Sequence, residues 1–338
     1  MSFFPFFLKD IAIDLGTANT LIFLKNRGVI INEPSVIAIE KSSGKPVAFG
    51  KEAKRMLGKA PPSIDVIRPI RDGVISNLEA TLLLLEYFIQ KVYNRKFFLN
   101  PRVVISIPLG ITSVERRALK ESVEEAGASE VYIIEQPMAA AIGAGLAVQE
   151  PAGSMIVDIG GGTTEVAVIA LAGIVNGRSL RVAGDEIDTA IINFVKNKYN
   201  ILIGEQMAER VKIEICSTIG NGSSNEMQLK GRGLIEGLPI TVIIRREEIK
   251  EALKETLSTI VNSVLQTLEN TPPELASDIV DRGIYLAGGG ALLDGIHELM
   301  NQETGLPIFT ASNPLSAVAE GAGKVLDEID LLKEISLE

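Results

Sequence analysis

The chain has 338 residues, of which 46% are apolar and 22% are charged, which is enough for two globular domains with sizeable cores. Its formal net charge of −10 argues against general nucleic-acid binding, because such proteins present basic surfaces. A single cysteine and a single histidine exclude an internal disulfide framework and any catalysis built on two histidines, and no apolar run is long enough to span a bilayer.

The first nine residues are rich in phenylalanine. They lack the basic start and the longer apolar region of a signal peptide. One interpretation is a first strand or a packed tail. The other, which we favour, is a short membrane-surface anchor, because exposed aromatic side chains favour the interface and Lys9 can extend to the water. The side chains predicted to contact lipid are Phe3, Phe4, Phe6 and Phe7.

The first predicted hairpin carries an aspartate into a turn rich in glycine and threonine. An apolar run at residues 11–15 contains Asp14 and leads into Gly16-Thr17, and a second apolar run follows at residues 21–24. Glycine lets backbone N–H groups approach a phosphate closely. An aspartate beside such a turn can hold magnesium, usually through water. The pattern therefore predicts a site for phosphate and metal.

An α/β run follows a weakly patterned segment at residues 34–67. It consists of a helix over 77–93, a strand over 102–107, a helix over 113–126 capped by Ser113, and a strand over 131–134 that leads into Glu135. The predicted loop at residues 94–101 places Phe97 and Phe98 beside Arg95 and Lys96. This loop suits anionic lipid headgroups, or it folds back onto the core, and the sequence leaves both interpretations open.

The second half repeats the hairpin. A strand over residues 155–158 ends at Asp158, a Gly/Thr-rich turn follows, and a second strand runs over 166–170. Two such copies suggest two similar domains that grip one nucleotide and its metal. The remaining predicted elements are a strand over 179–182, helices over 186–199 and 204–216, a strand pair within 223–246, a helix over 246–270, a strand over 284–287 that leads into Gly288-Gly289-Gly290, and a helical tail over 317–333.

Several common sites are missing from the sequence. Neither Gly44-Lys45 nor Gly323-Lys324 completes a phosphate-loop motif, and no glycine cluster completes the dinucleotide fingerprint. There is no cluster of cysteine and histidine for a metal and no nucleophile elbow.

The motifs that remain, taken in this order, resemble the actin–sugar kinase–heat-shock-chaperone superfamily and, within it, the MreB family of bacterial actins. The resemblance rests on residues 10–20, 32–35, 67–74, 135–142, 158–166, 208–214 and 271–275, and is least diagnostic over 217–243. It implies an α/β, actin-like fold in which two similar ribonuclease-H-like domains with smaller inserted subdomains surround a nucleotide cleft. The implied subdomains are IA (1–33, 66–145 and 315–338), IB (34–65), IIA (146–181 and 246–314) and IIB (182–245).

The resemblance also implies a site for ATP and Mg²⁺. The implied nucleotide-binding residues are Thr17, Ala18 and Asn19; Gly161, Gly162 and Thr163; Glu209, Arg210, Val211 and Lys212; and Gly289, Gly290, Ala291 and Leu292. The first two groups would meet the β- and γ-phosphates, the third would flank the nucleoside, and the fourth would approach the adenine and the α-phosphate. Asp14 and Asp158 would hold Mg²⁺, largely through water. Glu135 would orient or deprotonate the attacking water, which Thr164 would help to place.

Simpler interpretations exist for three of these features. Glu135 could be a carboxylate that favours a helix N-terminus, Glu209 and Lys212 could be a solvated surface pair, and the three glycines could form only a turn. The family context favours the functional interpretation of each. One departure from the family pattern is Gln136, which stands where an acidic residue is common.

The function implied by the resemblance is that of a cytoskeletal ATPase. Such a protein would polymerise head to tail into filaments of paired protofilaments, lie on the cytoplasmic face of the inner membrane, and guide cell-wall synthesis to set a rod shape. Its partners would be further copies of itself, membrane lipids and cell-wall elongation proteins, and not nucleic acid. A small-molecule kinase of the same fold is the alternative, but the sequence offers no separate catalytic aspartate. A chaperone-like ATPase is disfavoured because this length leaves no room for a peptide-binding domain.

Overall fold

The computed structural model describes residues 10–93, 101–218 and 226–337, which fold as two compact units. Unit 1 comprises Met1–Glu150, Leu171–Gly173 and Ser316–Glu338, and unit 2 comprises Pro151–Ala170 and Ile174–Leu315. The finer division into four subdomains stays a prediction.

The strands, in chain order, are β1 (Ile11–Leu15), β2 (Asn19–Leu24), β3 (Gly28–Pro34), β4 (Ile37–Glu40), β5 (Pro46–Phe49), β6 (Ile64–Ile67), β7 (Ile70–Arg71), β8 (Val74–Ile75), β9 (Arg102–Ile107), β10 (Glu130–Glu135), β11 (Ser154–Ile159), β12 (Thr164–Ala170), β13 (Gly173–Leu180), β14 (Ile201–Leu202), β15 (Glu226–Gly233), β16 (Pro239–Arg245), β17 (Ile284–Ala287) and β18 (Ile308–Thr310).

The helices are α1 (Gly50–Met56), α2 (Leu78–Val92), α3 (Ser113–Glu125), α4 (Gln136–Ala144), α5 (Gly184–Tyr199), α6 (Glu205–Ile215), α7 (Arg246–Glu269), α8 (Pro273–Arg282), α9 (Ile296–Thr304), α10 (Ala317–Lys324) and α11 (Ile329–Ile335), and a 3₁₀ turn covers Gly289–Leu292.

Each unit is built on a five-stranded sheet, and the two sheets share one topology. The strand order is β10-β9-β1-β2-β3 in unit 1 and β18-β17-β11-β12-β13 in unit 2. The first strand of each unit pairs antiparallel with the second and parallel with a later strand, which is β9 in unit 1 and β17 in unit 2. Because β1 and β11 are almost entirely buried, both read as apolar runs in the sequence. The repeated hairpin is therefore a repeat of the central sheet.

Each unit also carries a smaller three-stranded sheet. In unit 1 the order is β5-β4-β6, and in unit 2 it is β14-β15-β16. The first lies in the segment that the sequence left without a pattern, where short strands and α1 bury Val36, Ala38 and Ala53. The second contains the strand pair that the sequence predicted between residues 223 and 246.

Three predicted boundaries were wrong. Thr112, not Ser113, caps α3, because its hydroxyl accepts from Glu115 N (3.2 Å) while Glu115 Oε2 accepts from Thr112 N (2.9 Å) in a reciprocal capping box. β13 spans Gly173–Leu180 rather than 179–182, and the helical tail is divided into α10 and α11. The strand error concerns the ends of an element, which are hard to predict, whereas the break between α10 and α11 falls at residues 325–328, inside the predicted helix.

Helices α4 and α10 pack closely in unit 1, which fixes the segment that follows Glu135. At Gly143 a Cβ would overlap the carbonyl oxygen of Ala317, and at Gly321 a Cβ would overlap that of Ala139. Only a glycine fits at either position, so the two helix backbones meet almost directly. None of the described helices is both long enough and apolar enough to cross a bilayer.

Candidate functional site

The turn between β1 and β2 is closed by backbone and side-chain hydrogen bonds. Gly16 N donates to Asn19 O (3.1 Å), and Ala18 O accepts from Ser35 N (3.0 Å). Thr17 is buried, and its Oγ1 accepts from Gly73 N (3.2 Å). The three residues predicted to meet phosphates in unit 1 therefore lie together on one fixed turn, with Ala18 exposed.

Asp14 lies near the end of β1, beside this turn. Its Oδ1 accepts hydrogen bonds from Ser106 Oγ (3.0 Å) on β9 and from Gln136 Nε2 (3.4 Å) at the start of α4. Burial raises the pKa of Asp14 to about 6, although these two donors oppose the shift. A cation would offset this cost of burying a carboxylate, so the residue suits the metal-holding role that the sequence predicts.

Glu135 ends β10, next to Ile107 of β9, and thus lies at the same carboxyl edge of the parallel strands as Asp14. It precedes α4 at the N-cap position, but its side chain accepts no hydrogen bond from the helix N–H groups. Burial raises the pKa of Glu135, and the positive charge of Arg116 opposes this shift. The simpler interpretation, a carboxylate at a helix N-terminus, therefore agrees with the structure, and the same position places Glu135 directly before Gln136, which donates to Asp14.

Unit 2 repeats the first turn. Asp158 occupies the same place in β11 that Asp14 has in β1, and Gly160 N donates to Thr163 O (2.9 Å) as Gly16 N does to Asn19 O. The predicted phosphate residues Gly161, Gly162 and Thr163 form this turn. The two units thus present matching Asp-plus-turn arrangements.

Thr164 lies at the start of β12 and is fully buried. Its hydroxyl donates to Val182 O (2.7 Å), which ties the turn to the segment before α5. Its predicted role in placing a water molecule stays a prediction.

The N-terminus of α5 contacts the turn at residues 160–163 through two backbone hydrogen bonds. Gly184 N donates to Gly160 O (3.2 Å) and Asp185 N donates to Gly161 O (2.7 Å). A Cβ at Gly184 would lie only 3.3 Å from Gly160 O, so the approach is close. The position of α5 therefore sets the position of the turn.

The glycine triplet lies beside Asp158 on the neighbouring strand, because Ala287 of β17 pairs with Asp158 of β11. Gly288 has φ +77°, and a Cβ there would overlap Asp158 Oδ1 and Ile159 O. At Gly290 a Cβ would overlap the side chain of Ile159. In the 3₁₀ turn that follows, Ala291 is buried and Leu292 is exposed. The glycines therefore serve the close packing of this turn on β11.

Helix α6 carries the four residues predicted to flank a nucleoside, and their side chains differ in environment. Val211 is fully buried in the core of unit 2, and Arg210 forms an exposed ion pair with Glu214 (2.6 Å). Lys212 Nζ donates to Gly184 O and to Asp188 Oδ2, both at 2.9 Å. Glu209 is half-buried. The simple interpretation of Lys212 as a solvated surface charge does not hold.

Sequence reasoning missed three supporting residues. Ser106 is a buried polar residue near the carboxyl end of the apolar strand β9, which is the signal that could have found it. Ser35 Oγ donates to Gly16 O (2.6 Å) under the first turn. Asp188 pairs with Lys212, but no pattern in the sequence joins the two.

The predicted membrane contacts Phe3, Phe4, Phe6, Phe7, Phe97 and Phe98 lie outside the described residues. Within residues 10–93, 101–218 and 226–337, no group of three or more His, Cys, Asp or Glu side chains could by itself hold a metal ion.

The chain is similar to known proteins over nearly its whole length. A family model described as MreB/Mbl protein matches residues 8–334. The cell shape-determining protein MreB of Escherichia coli (strain K12) is 52% identical, over 96% of this chain and 95% of the relative. The cell shape-determining protein Mbl of Bacillus subtilis (strain 168) is 46% identical, over 98% of this chain and 99% of the relative.

Solved structures are similar as well. The crystal structure of MreB 5 of Spiroplasma citri bound to AMPPNP is 40% identical with a TM-score of 0.92, covering 96% of this chain and 98% of that one. The same protein bound to ADP gives a TM-score of 0.90, covering 94% and 96%. The MamK double helical filament, with a TM-score of 0.80 over 94% and 99%, is 21% identical and is similar in fold alone.

Proposed function

Because the chain belongs to the MreB/Mbl family of bacterial actin-like cell-shape proteins, we propose that it binds and hydrolyses ATP and polymerises into membrane-associated filaments that guide cell-wall synthesis. The observation that carries the nucleotide part is the duplicated Asp-plus-turn arrangement, which occupies the same register in the central sheet of each unit. Its support from relatives is the binding of AMPPNP and ADP by the Spiroplasma citri protein.

In the proposed site the two turns bind the phosphates of one ATP. Backbone N–H groups of residues 16–19 and 160–163 would hold the β- and γ-phosphates, since turn N–H groups form anion-binding concavities. Asp14 and Asp158 would hold Mg²⁺, largely through its water ligands. Bound Mg²⁺ would supply neutralisation of the phosphate charge. The α6 residues Glu209–Lys212 and the turn Gly289–Leu292 would flank the nucleoside.

Glu135 is the residue that we assign to hydrolysis. Its carboxylate would orient the attacking water and accept its proton. Thr164, at the start of the second strand of the hairpin, would help to position this water. The raised pKa of Glu135 suits this role, because burial makes the carboxylate a stronger base than one in water.

The assembly part of the proposal rests on the family and on composition. Curated relatives are named for determining cell shape, and a structural neighbour, MamK, is described as a double helical filament. Head-to-tail contacts are heterologous and extend without limit. The two phenylalanine clusters would bind the cytoplasmic face of the inner membrane weakly in each copy and strongly along a filament, by avidity. Cell-wall elongation proteins would be the further partners.

One experiment tests the whole proposal. Wild type, Glu135→Gln and the matched control Glu130→Gln, an exposed residue on the same strand, are incubated with ATP, Mg²⁺ and anionic liposomes, and sedimentation and phosphate release are measured. We expect all three proteins to pellet with ATP, and phosphate release to fall by about 100-fold or more in Glu135→Gln only. Deletion of residues 2–7 should leave the filaments intact but weaken their binding to the liposomes, because one of the two phenylalanine clusters is lost.

Failure of the wild type to pellet under any nucleotide condition would exclude the filament. Normal phosphate release by Glu135→Gln would remove Glu135 from the reaction. Liposome binding that is unchanged by the deletion would show that the first phenylalanine cluster does not contribute to the anchor.

A further inference from the structure

Unit 2 contains a mostly buried ion pair in which one partner, Asp188, has no role in the function described above. Lys212 of α6 donates to Asp188 Oδ2 of α5 at 2.9 Å, and the two side chains are only 20% and 13% exposed. The same ammonium donates to Gly184 O at 2.9 Å. A pair this shielded from water loses much more than a surface pair when one partner is removed, because the remaining charge stays buried.

Gly184 connects this pair to the second turn. Its carbonyl oxygen accepts from Lys212, while its N–H donates to Gly160 O (3.2 Å), and the next N–H, of Asp185, donates to Gly161 O (2.7 Å). The first helical turn of α5 thus has two sets of contacts. Its carbonyl oxygen at Gly184 binds Lys212, and its N–H groups bind the loop at residues 160–163. If Lys212 moved, Gly184 would move with it, and the turn at residues 160–163 would move in turn.

The second oxygen of Asp188 is unusual. Among the described residues, Asp188 Oδ1 is buried without a hydrogen-bond partner. Most buried polar atoms in folded proteins have a partner, so an acid at this place costs stability that a neutral residue would not. Such a cost is typical of residues kept for a functional site rather than for folding.

We propose that Asp188 is a positioning residue for the nucleotide: it holds Lys212 against Gly184, and through α5 it sets the position of the turn at residues 160–163. Lys212 is then a structural link between α6 and the phosphate turn, in addition to flanking the nucleoside. The nucleotide part of this inference rests on the proposed function, whereas the link within unit 2 does not.

The pair also makes the link sensitive to pH. Burial raises the pKa of Asp188 to about 6; the charge and hydrogen bond of Lys212 oppose this, whereas the charges of Glu209 and Asp185 add to it. The thiol of Cys216 also interacts with Asp188, and burial raises the pKa of this thiol to about 12, so it stays protonated in this range. Asp188 is therefore ionised above about pH 6 and holds Lys212 there, and the link weakens as the pH falls below 6.

The test compares wild type with Asp188→Asn and with Glu214→Gln, which breaks the exposed Arg210 pair on the same helix. In the nucleotide-free proteins, amide hydrogen exchange is measured at Gly184 and Asp185. We expect Asp188→Asn alone to speed this exchange by about tenfold, because it loosens the first turn of α5. Thermal unfolding identifies a variant that fails to fold, and Asp188→Glu serves as the second variant in that case.

The same proteins are then titrated with a fluorescent ADP analogue between pH 5 and 8. Asp188→Asn should raise the Kd by about tenfold at pH 7.5, and the ratio of its Kd to that of wild type should approach one at pH 5. Unchanged exchange in Asp188→Asn overturns the link. Faster exchange with an unchanged Kd overturns the positioning role. Absence of nucleotide binding by wild type refutes the proposed function instead, and the exchange result still decides the link.

Discussion

Among the described residues, Asp14, Glu135 and Asp188 have carboxylates that are more basic than ordinary ones, and each lies at or beside the candidate site. Burial raises the pKa of Asp14 and of Asp188 to about 6 and raises that of Glu135. A buried charge costs folding free energy unless a partner or a ligand offsets it. The raised pKa values of Asp14 and Glu135, at the carboxyl edge of the unit 1 sheet, are therefore better explained by a ligand than by the needs of the fold.

The single cysteine, in contrast to these carboxylates, has a raised pKa that the packing of the core explains without a ligand. Cys216 lies in the core of unit 2, and burial raises the pKa of its thiol to about 12. The thiol therefore stays protonated and shielded at pH 8, and we expect iodoacetamide to label the native protein at less than about a hundredth of the rate in guanidinium.

Mass spectrometry of the alkylated protein over time measures this labelling. The same protein unfolded in guanidinium is the control for full reactivity, because all labelling then occurs at the one cysteine of the sequence. Rapid labelling under native conditions would mean that the segment around residue 216 opens readily, in conflict with its burial.

The burial of Cys216 could be predicted from the sequence, because its neighbours follow an amphipathic helical period and a free cysteine is usually buried. The partners of Asp14 could not be predicted in the same way. Ser106 is 92 residues away from Asp14 in the chain, and only the parallel pairing of β1 with β9 brings the two together. Asp188 and Lys212 likewise meet through the packing of α5 on α6, which no local pattern specifies.

At the element scale, the two hairpins were predictable because each joins buried apolar runs through glycine and threonine, and local period and turn chemistry agree. The segment over residues 34–67 was not. Its strands β4, β5 and β6 have four residues each, which is too few to show the alternating apolar pattern of a strand. Helix α1 has seven residues, which is too few to show a helical period. Likewise, Thr112 and Ser113 are both good capping residues, and only the reach of Glu115 distinguishes them.

The contact of α4 with α10 yields a prediction at this scale. Gly321→Ala should destabilise the protein by about 2 kcal/mol, because the added methyl group must separate two helix backbones. The matched control is Gly204→Ala, where a Cβ would have nothing within 4 Å and the cost should be a few tenths of a kcal/mol. Urea unfolding monitored by circular dichroism measures both variants.

If Gly321→Ala and Gly204→Ala unfold at the same urea concentration, the two helices are not in the close contact described here. Since Gly321 lies outside the candidate site, the nucleotide affinity of the folded variant should follow wild type.

At the scale of the whole molecule, the expectations from resemblance are confirmed for the family and for the actin-like fold, which the Spiroplasma citri structures match at TM-scores of 0.92 and 0.90. The repeat of the sheet explains why the sequence was informative at this scale. Two copies of one topology leave two copies of one signature, and each signature lies where its sheet presents the carboxyl ends of strands.

If the two hairpins bind the same nucleotide and Mg²⁺, as proposed, the effects of substitutions in them must be coupled. Asp14→Asn and Asp158→Asn should each weaken binding of ATP in the presence of Mg²⁺, and the double variant should lose less than the sum by about 1 kcal/mol or more. Calorimetric titration of the four proteins measures this double-mutant cycle. The control cycle pairs Asp14→Asn with Glu226→Gln, an exposed residue of β15, and should be additive.

Additive losses in the first cycle would mean that the two hairpins serve separate ligands. Unchanged affinity in both single variants would mean that neither aspartate takes part in binding.

The contact between α4 and α10 also bears on how the protein is made. Unit 1 begins the chain, yet α10 and α11, which complete it, come from residues after Leu315, and Leu337 N donates to Ile133 O on β10 (2.8 Å). A ribosome therefore finishes all of unit 2 before it releases the segment that covers α4 and β1. Unit 1 is therefore the first unit to be synthesised and the last to be completed. The small-residue face of α4 stays exposed until α10 has been synthesised, and during this interval a nascent chain depends on chaperones.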